Sequence, residues 1–258
     1  MHTKVAVLPS EHIQSKGRGA RSADDLEAAV VRATRLAREG RLSEAAQALL
    51  QLPLAEVGPE QMEALRELPP RADPPVVSDE PDPVPVHLSP DLVLRVVRGL
   101  PVGRGHDLAG CGYGHLRLIE SNGDSDALVE VIAKIAAGRV APEARTFVAA
   151  CRLMALVKPN GKLRPIALGS VFRRLAAKCV CKQLEPEISA ALQTPGAVQF
   201  AGLLKGGAES LAWLVKLALS SNPSHGTLPM DGVNAFNCMS RQHILDTVRE
   251  RVPALHGY

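Results

Sequence analysis

Three cations, Lys158, Lys162 and Arg164, have the types and spacing to do chemistry together. Lys158 and Lys162 flank Pro159-Asn160-Gly161, and Asn-Gly accepts the positive φ values of a tight hairpin turn. Residues 152–158 and 163–168 therefore read as two strands joined by a basic turn, with Pro165 tolerated only at a sheet edge. The lysines supply point charges and Arg164 a planar donor fork that matches phosphate oxygens. Mounted on a stiff hairpin, such a set is a device for holding a triphosphate. A surface hairpin with solvated charges fits the same composition. Arg174, Lys178 and Lys182 recur every four residues and line one helix face. That face reads as a track for the phosphates of a nucleic acid, or as a solvated surface.

The elements that must position these groups follow from periodicity and punctuation. Residues 1–21 are polar, glycine-containing and basic, and are expected to be a disordered tail. Residues 22–68 form a helical segment. A first helix starts near Ser22 with Leu26, Val30, Ala33 and Ala37 inward and stops at Gly40. A second covers 43–52 and a third 59–68, each closed by proline. Residues 69–90 hold eight of the 20 prolines and read as an extended linker. The main region, residues 91–258, opens on a helix started by Ser89 and Pro90. A glycine-rich stretch follows, then a helix over 124–137 with Leu128, Val131, Ile132 and Ile135 inward, and a short helix from Pro142. After the hairpin come a helix over 170–184 stopped by Pro186, another over 208–220, a short strand over 227–231 and a last helix over 241–252. Hairpin and helices without regular βαβ alternation predict an α+β fold.

Composition narrows the field. In 258 residues the formal charge is +3, a balance that permits nucleic-acid binding without arguing for it. Aromatics are 3%, so the core must be built from Ala, Leu and Val. The five cysteines have no paired spacing, which suits reduced thiols in an intracellular protein, nuclear or cytoplasmic and not secreted. The opening residues carry too short an apolar run for a secretory signal, and no segment approaches the roughly 18 apolar residues of a membrane span. His106, Cys111 and His115 follow no strong zinc spacing, and Cys179 and Cys181 should point to different faces of one helix.

Several segments, taken in order, resemble one family. Lys158-Pro-x-Gly-x-x-Arg-Pro-Ile166 is similar to the fingers hairpin of non-LTR retrotransposon reverse transcriptases, and Gly169-x-x-x-Arg-Arg-Leu-x-x-Lys178 to the helix that follows it. Gln199, Gly202, Gly206, Gly207, Ala208 and Glu209 occur in the family's order, and residues 230–237, Met-Asp-Gly-Val-Asn-Ala-Phe-Asn, resemble its first catalytic motif. Arg241 stands where the family commonly has arginine, and residues 109–117 are like its glycine-rich segment before the fingers. The resemblance covers about residues 90–258.

It implies part of the fingers and palm of an RNA-directed DNA polymerase, with an RNA/DNA template-primer and a dNTP as partners. Asp231 would be a catalytic carboxylate and ligand to Mg²⁺, helped by the Gly232 carbonyl. Phe236 would pack beneath the incoming sugar and exclude a 2′-hydroxyl. Arg164, with Lys158 or Lys162, would grip the triphosphate. Gly206 and Gly207 would let backbone approach template or nucleotide closely. Taken from the residues alone, Asp231-Gly232 also suits a turn. Two-metal phosphoryl transfer needs several carboxylates, and no aromatic-x-Asp-Asp follows Asp231. The expectation is a fragment, a truncated or decayed element, inactive alone. The alternatives are a non-catalytic nucleic-acid-binding remnant and a helical interaction protein built on residues 22–68.

Overall fold

The computed structural model describes residues 23–50, 58–67, 73–76, 85–103, 105–158, 161–193, 198–201, 206–222, 224–230, 232, 235–256 and 258. The expected tail at 1–21 and part of the expected linker lie outside them. The chain is a mixed α+β protein whose described sheet has two strands. It divides into two compact units. One comprises residues up to Arg66 with Leu153–Ile166, and the other Glu67–Arg152 with Ala167–Tyr258.

In the first unit, α1 (Ala23–Arg38) and α2 (Leu42–Leu50) form a helical hairpin, and α3 (Pro59–Glu67) follows. Gly40, at φ +74°, makes the turn, and Arg41 beside it bonds Glu39 and Glu44. The seam between α1 and α2 is Ala33, Leu36, Ala45 and Ala48, small side chains that let two helices approach closely. Leu26, Val30 and Ala37, expected to face inward, are exposed instead. With two helices and a mostly alanine seam, there is only enough partner surface to cover one narrow stripe.

The second unit holds the larger core. It starts on Val86 and Leu88, at the end of the proline-rich segment, which are buried rather than solvated. Helix α4 (Pro90–Arg98) begins as its sequence requires: Ser89 Oγ accepts the Leu92 N–H and proline fills the first turn. Helix α5 (Tyr113–Ser121) was not legible in the sequence, since it begins inside the glycine run. Helix α6 (Ser125–Ala136) buries Leu128, Ile132 and Ile135, and Gly138 at φ +69° turns the chain away. Val131, expected inward, is exposed because it lies at the edge of that stripe. Helix α7 (Pro142–Ala149) leads into the hairpin of β1 (Cys151–Val157) and β2 (Leu163–Gly169).

Helix α8 (Val171–Gln183) is the centre of the core. Val171, Leu175 and Cys179, with Ala176 and Val180, form one face without solvent exposure. Burying each branched side chain contributes about 1.5–3 kcal/mol. Pro186 does not end the helical path. It fills the first turn of a new helix, α9 (Glu185–Leu192), where its missing N–H costs nothing. Helices α10 (Gly207–Ser221), α11 (Ala235–Cys238) and α12 (Arg241–Arg251) complete the chain, with a 3₁₀ turn at Pro253–Leu255. Residues 227–230, expected as a strand, are exposed and have no ladder pairing. Pro229 has no amide to offer one, and the described sheet consists of β1 and β2 alone. No described helix is long and apolar enough to cross a membrane.

Candidate nucleotide-binding hairpin and its supports

The hairpin turn is closed by two backbone bonds. Lys158 N–H donates to the Lys162 carbonyl at 2.8 Å, and Gly161 N–H donates to the Lys158 carbonyl at 2.9 Å. Gly161 adopts φ +76°, as an Asn-Gly turn demands; Pro159 and Asn160 lie outside the described residues. This register sets the charges. Residues paired across an antiparallel hairpin share a face, and residues two apart on one strand share a face. Lys158 is paired with Lys162, and Arg164 lies two residues beyond, so all three cations fall on one face with Leu156 opposite Arg164. The other face carries the buried Ala155 and the half-buried Leu163 and Pro165. Arg164 and Lys162 are exposed and Lys158 is half-buried. No Asp or Glu occurs between Cys151 and Gly169.

The junction from β2 into α8 is held by a residue that sequence reasoning missed. Asp107 is 3% exposed. Its Oδ1 accepts the N–H groups of Ala109 and Cys111 at 3.0 and 2.9 Å, and its Oδ2 accepts the N–H of Val171 at 2.9 Å. A carboxylate thus sits at the positive end of α8, where such a charge is favoured. Ser170, in the cap position, makes no side-chain cap bond, and its buried Oγ has no partner among the described residues. Asp107 lies 64 residues before Val171, so only a local signal, an Asp in a glycine-rich loop, marked it.

On α8 the expected basic face is divided. Arg174 is half-buried: its guanidinium lies 4.8 Å over the Tyr113 ring and donates to the Gly105 carbonyl at 3.0 Å. Lys182 is exposed and pairs with Glu185 at 3.5 Å. Lys178 is exposed. Cys179 and Cys181 do face apart, one buried and one exposed, and burial pushes the Cys179 thiol up to about 11.

Gly206 has φ +70° at the start of α10. Gly207 is buried against backbone, where a Cβ would overlap the Phe200 carbonyl. The close approach at Gly207 is therefore made to the chain's own Phe200 backbone. Gly232 is exposed, while Asp231 and the side chain of Phe236 lie outside the described residues. Lys158, Lys162 and Arg164 belong to the first unit and the segment around residue 231 to the second.

His115 Nδ1 accepts the Gly112 N–H at 3.0 Å, and the His106 and His115 rings stand edge to face at 6.0 Å. Among the described residues no three His, Cys, Asp or Glu side chains converge as a metal would require. The implied Mg²⁺ has no ligand set there. No protein-family model, curated protein or solved structure matches the chain.

Proposed function

We propose that the chain is the front part of a reverse-transcriptase-like polymerase of a non-LTR retroelement, contributing fingers and the first palm motif. The observation that carries this reading is the hairpin: three cations on one face of a segment whose own sequence holds no Asp or Glu, on a backbone stiffened by the Lys158–Lys162 pair. A polyphosphate offers oxygens to the planar Arg164 fork and to the point charges of the lysines. On this reading Arg164, Lys158 and Lys162 grip the triphosphate of a dNTP. Asp231 is the carboxylate that meets its metal, and Phe236 lies under its sugar. Template-primer runs past the exposed Lys178. Two-metal transfer needs further carboxylates, and the 258 residues supply no aromatic-x-Asp-Asp after Asp231. Binding without polymerisation is the activity assigned to these residues taken alone.

The test is equilibrium binding of dTTP in Mg²⁺. Saturable binding is expected to weaken about tenfold or more in Arg164→Ala, the loss of one charge-assisted fork. Binding that is absent, or indifferent to Arg164, removes the proposal.

A further inference from the structure

Within the second unit a cavity of about 580 Å³ opens between α6, α7 and α8. Three arginines line it, Arg145 from α7 and Arg173 and Arg174 from α8, and no Asp or Glu does. Its other walls are apolar, including Ile135 and Val148, and Tyr258 closes one side. We propose that this cavity is a binding site for a phosphate-bearing anion with an apolar or aromatic body, of the nucleoside monophosphate type.

The case begins with charge. Guanidinium groups stay protonated, so three of them round one cavity form a lasting positive field. Some arginines of this chain find carboxylates, as Arg41 does with Glu44 and Arg98 with Glu120. Among the described residues, Arg145, Arg173 and Arg174 have only neutral acceptors. Arg145 Nε donates to the Val140 carbonyl at 3.1 Å. Arg173 donates to the Ala149 carbonyl at 3.5 Å and the Cys151 sulfur at 3.1 Å. Arg174 donates to the Gly105 carbonyl, and its buried Nε has no partner among the described residues. Each guanidinium carries five N–H donors in a fixed fork, so most of this donor capacity is unused.

Geometry adds the rest. Arg145 is held by its bond to Val140, which also lines the cavity, and Arg173 by its contacts at the end of α7, while the Arg174 guanidinium lies on Tyr113 and Gly105, which are outside the lining, and adds charge rather than a donor fork. Pre-ordering lowers the entropy cost of binding. Tyr258 Oη donates to the Arg173 carbonyl at 3.1 Å, placing an aromatic ring beside the cations. Burial holds that phenol above its usual range, so it stays neutral and does not compete as an anion. The apolar walls exclude a bare, fully hydrated ion as the best-fitting occupant and favour an anion with a body to bury. The polymerase reading gives Arg145 no role, so nucleotide binding lost in Arg145→Gln is distinguishable from a failure of that reading.

Isothermal titration of the full chain at low salt tests this, with adenosine 5′-monophosphate, orthophosphate, adenosine and an unphosphorylated dinucleotide as probes. The nucleotide should bind saturably, orthophosphate more weakly and adenosine not at all. Arg145→Gln should weaken the nucleotide at least about tenfold, with Arg145→Lys in between. Unchanged circular dichroism excludes loss of fold, and Arg173→Gln provides a second disruption. The hairpin is another place for phosphate, so the relevant site is the one lost in Arg145→Gln. Dinucleotide binding lost in the same variants supports the site and assigns its phosphate to a nucleic-acid backbone. No saturable binding of any phosphate probe, or a titration in which neither arginine variant removes a site, overturns the proposal.

Discussion

Replacing Asp107 by alanine removes three hydrogen bonds from one buried carboxylate and leaves the Val171 N–H at the start of α8 without its acceptor. Hydrogen bonds to charged groups contribute about 1.5–3 kcal/mol each, but bonds sharing one carboxylate are not additive. A loss of about 3 kcal/mol is expected for Asp107→Ala. Asp107→Asn keeps one oxygen but turns an NH₂ toward either the loop amides or Val171, donor against donor. Its expected loss is about half as large. Urea unfolding followed by far-ultraviolet circular dichroism reads both. With a slope near 2 kcal/mol per molar, the midpoint falls by about 1.5 M for alanine and about 0.7 M for asparagine. The ordering matters as much as the size. Midpoints shifted by under about 0.3 M in both variants would mean that Asp107 does not anchor the loop to α8, and the reasoning would fail.

Three further outcomes follow from the same structure. The buried Cys179 thiol is pushed up from 9.0 to about 11, so the folded state holds its proton more tightly than the unfolded chain. The linked stability is fully present below about pH 9 and is lost as pH rises through about 11, roughly 3 kcal/mol at most. Urea midpoints across that window should fall more steeply for the native chain than for Cys179→Ala, and parallel curves would refute the linkage. Gly207→Ala should cost about 1–3 kcal/mol through overlap with the Phe200 carbonyl, read as faster amide exchange at the start of α10; unchanged exchange would deny the close approach. Primer extension by the purified chain in Mg²⁺ should give no product, and template-dependent synthesis abolished by Asp231→Ala would show that a full carboxylate set is present.

Legibility in the sequence tracked how local each cause was. Helix starts at Ser89-Pro90 and Pro142, the stop at Gly138 and the Asn-Gly turn are written in a few adjacent residues, and the structure places elements there. Helix α5 begins among Gly110, Gly112 and Gly114, where propensity argues against a helix, and burial of Tyr113 and Leu116 decides otherwise. Helix α9 was hidden by reading Pro186 as a stop when proline equally begins a helix. The facing direction of Leu26, Val30 and Val131 depends on how much partner surface is present, which periodicity does not state. The site divides in the same way. The face shared by Lys158, Lys162 and Arg164 follows from a short-range register. The Asp107 anchor and the cavity of Arg145, Arg173 and Arg174 join residues far apart in sequence, with no adjacent signal to announce them.

The central claim is that Lys158, Lys162 and Arg164 on the hairpin form a grip for a triphosphate. Equilibrium binding of dTTP, dTMP and thymidine in Mg²⁺ to the native chain and to Arg164→Ala measures that directly. The account predicts affinity that falls from dTTP to dTMP and vanishes for thymidine, with the preference for dTTP lost in Arg164→Ala. Equal binding of all three, or a preference for dTTP that survives in Arg164→Ala, would contradict the account.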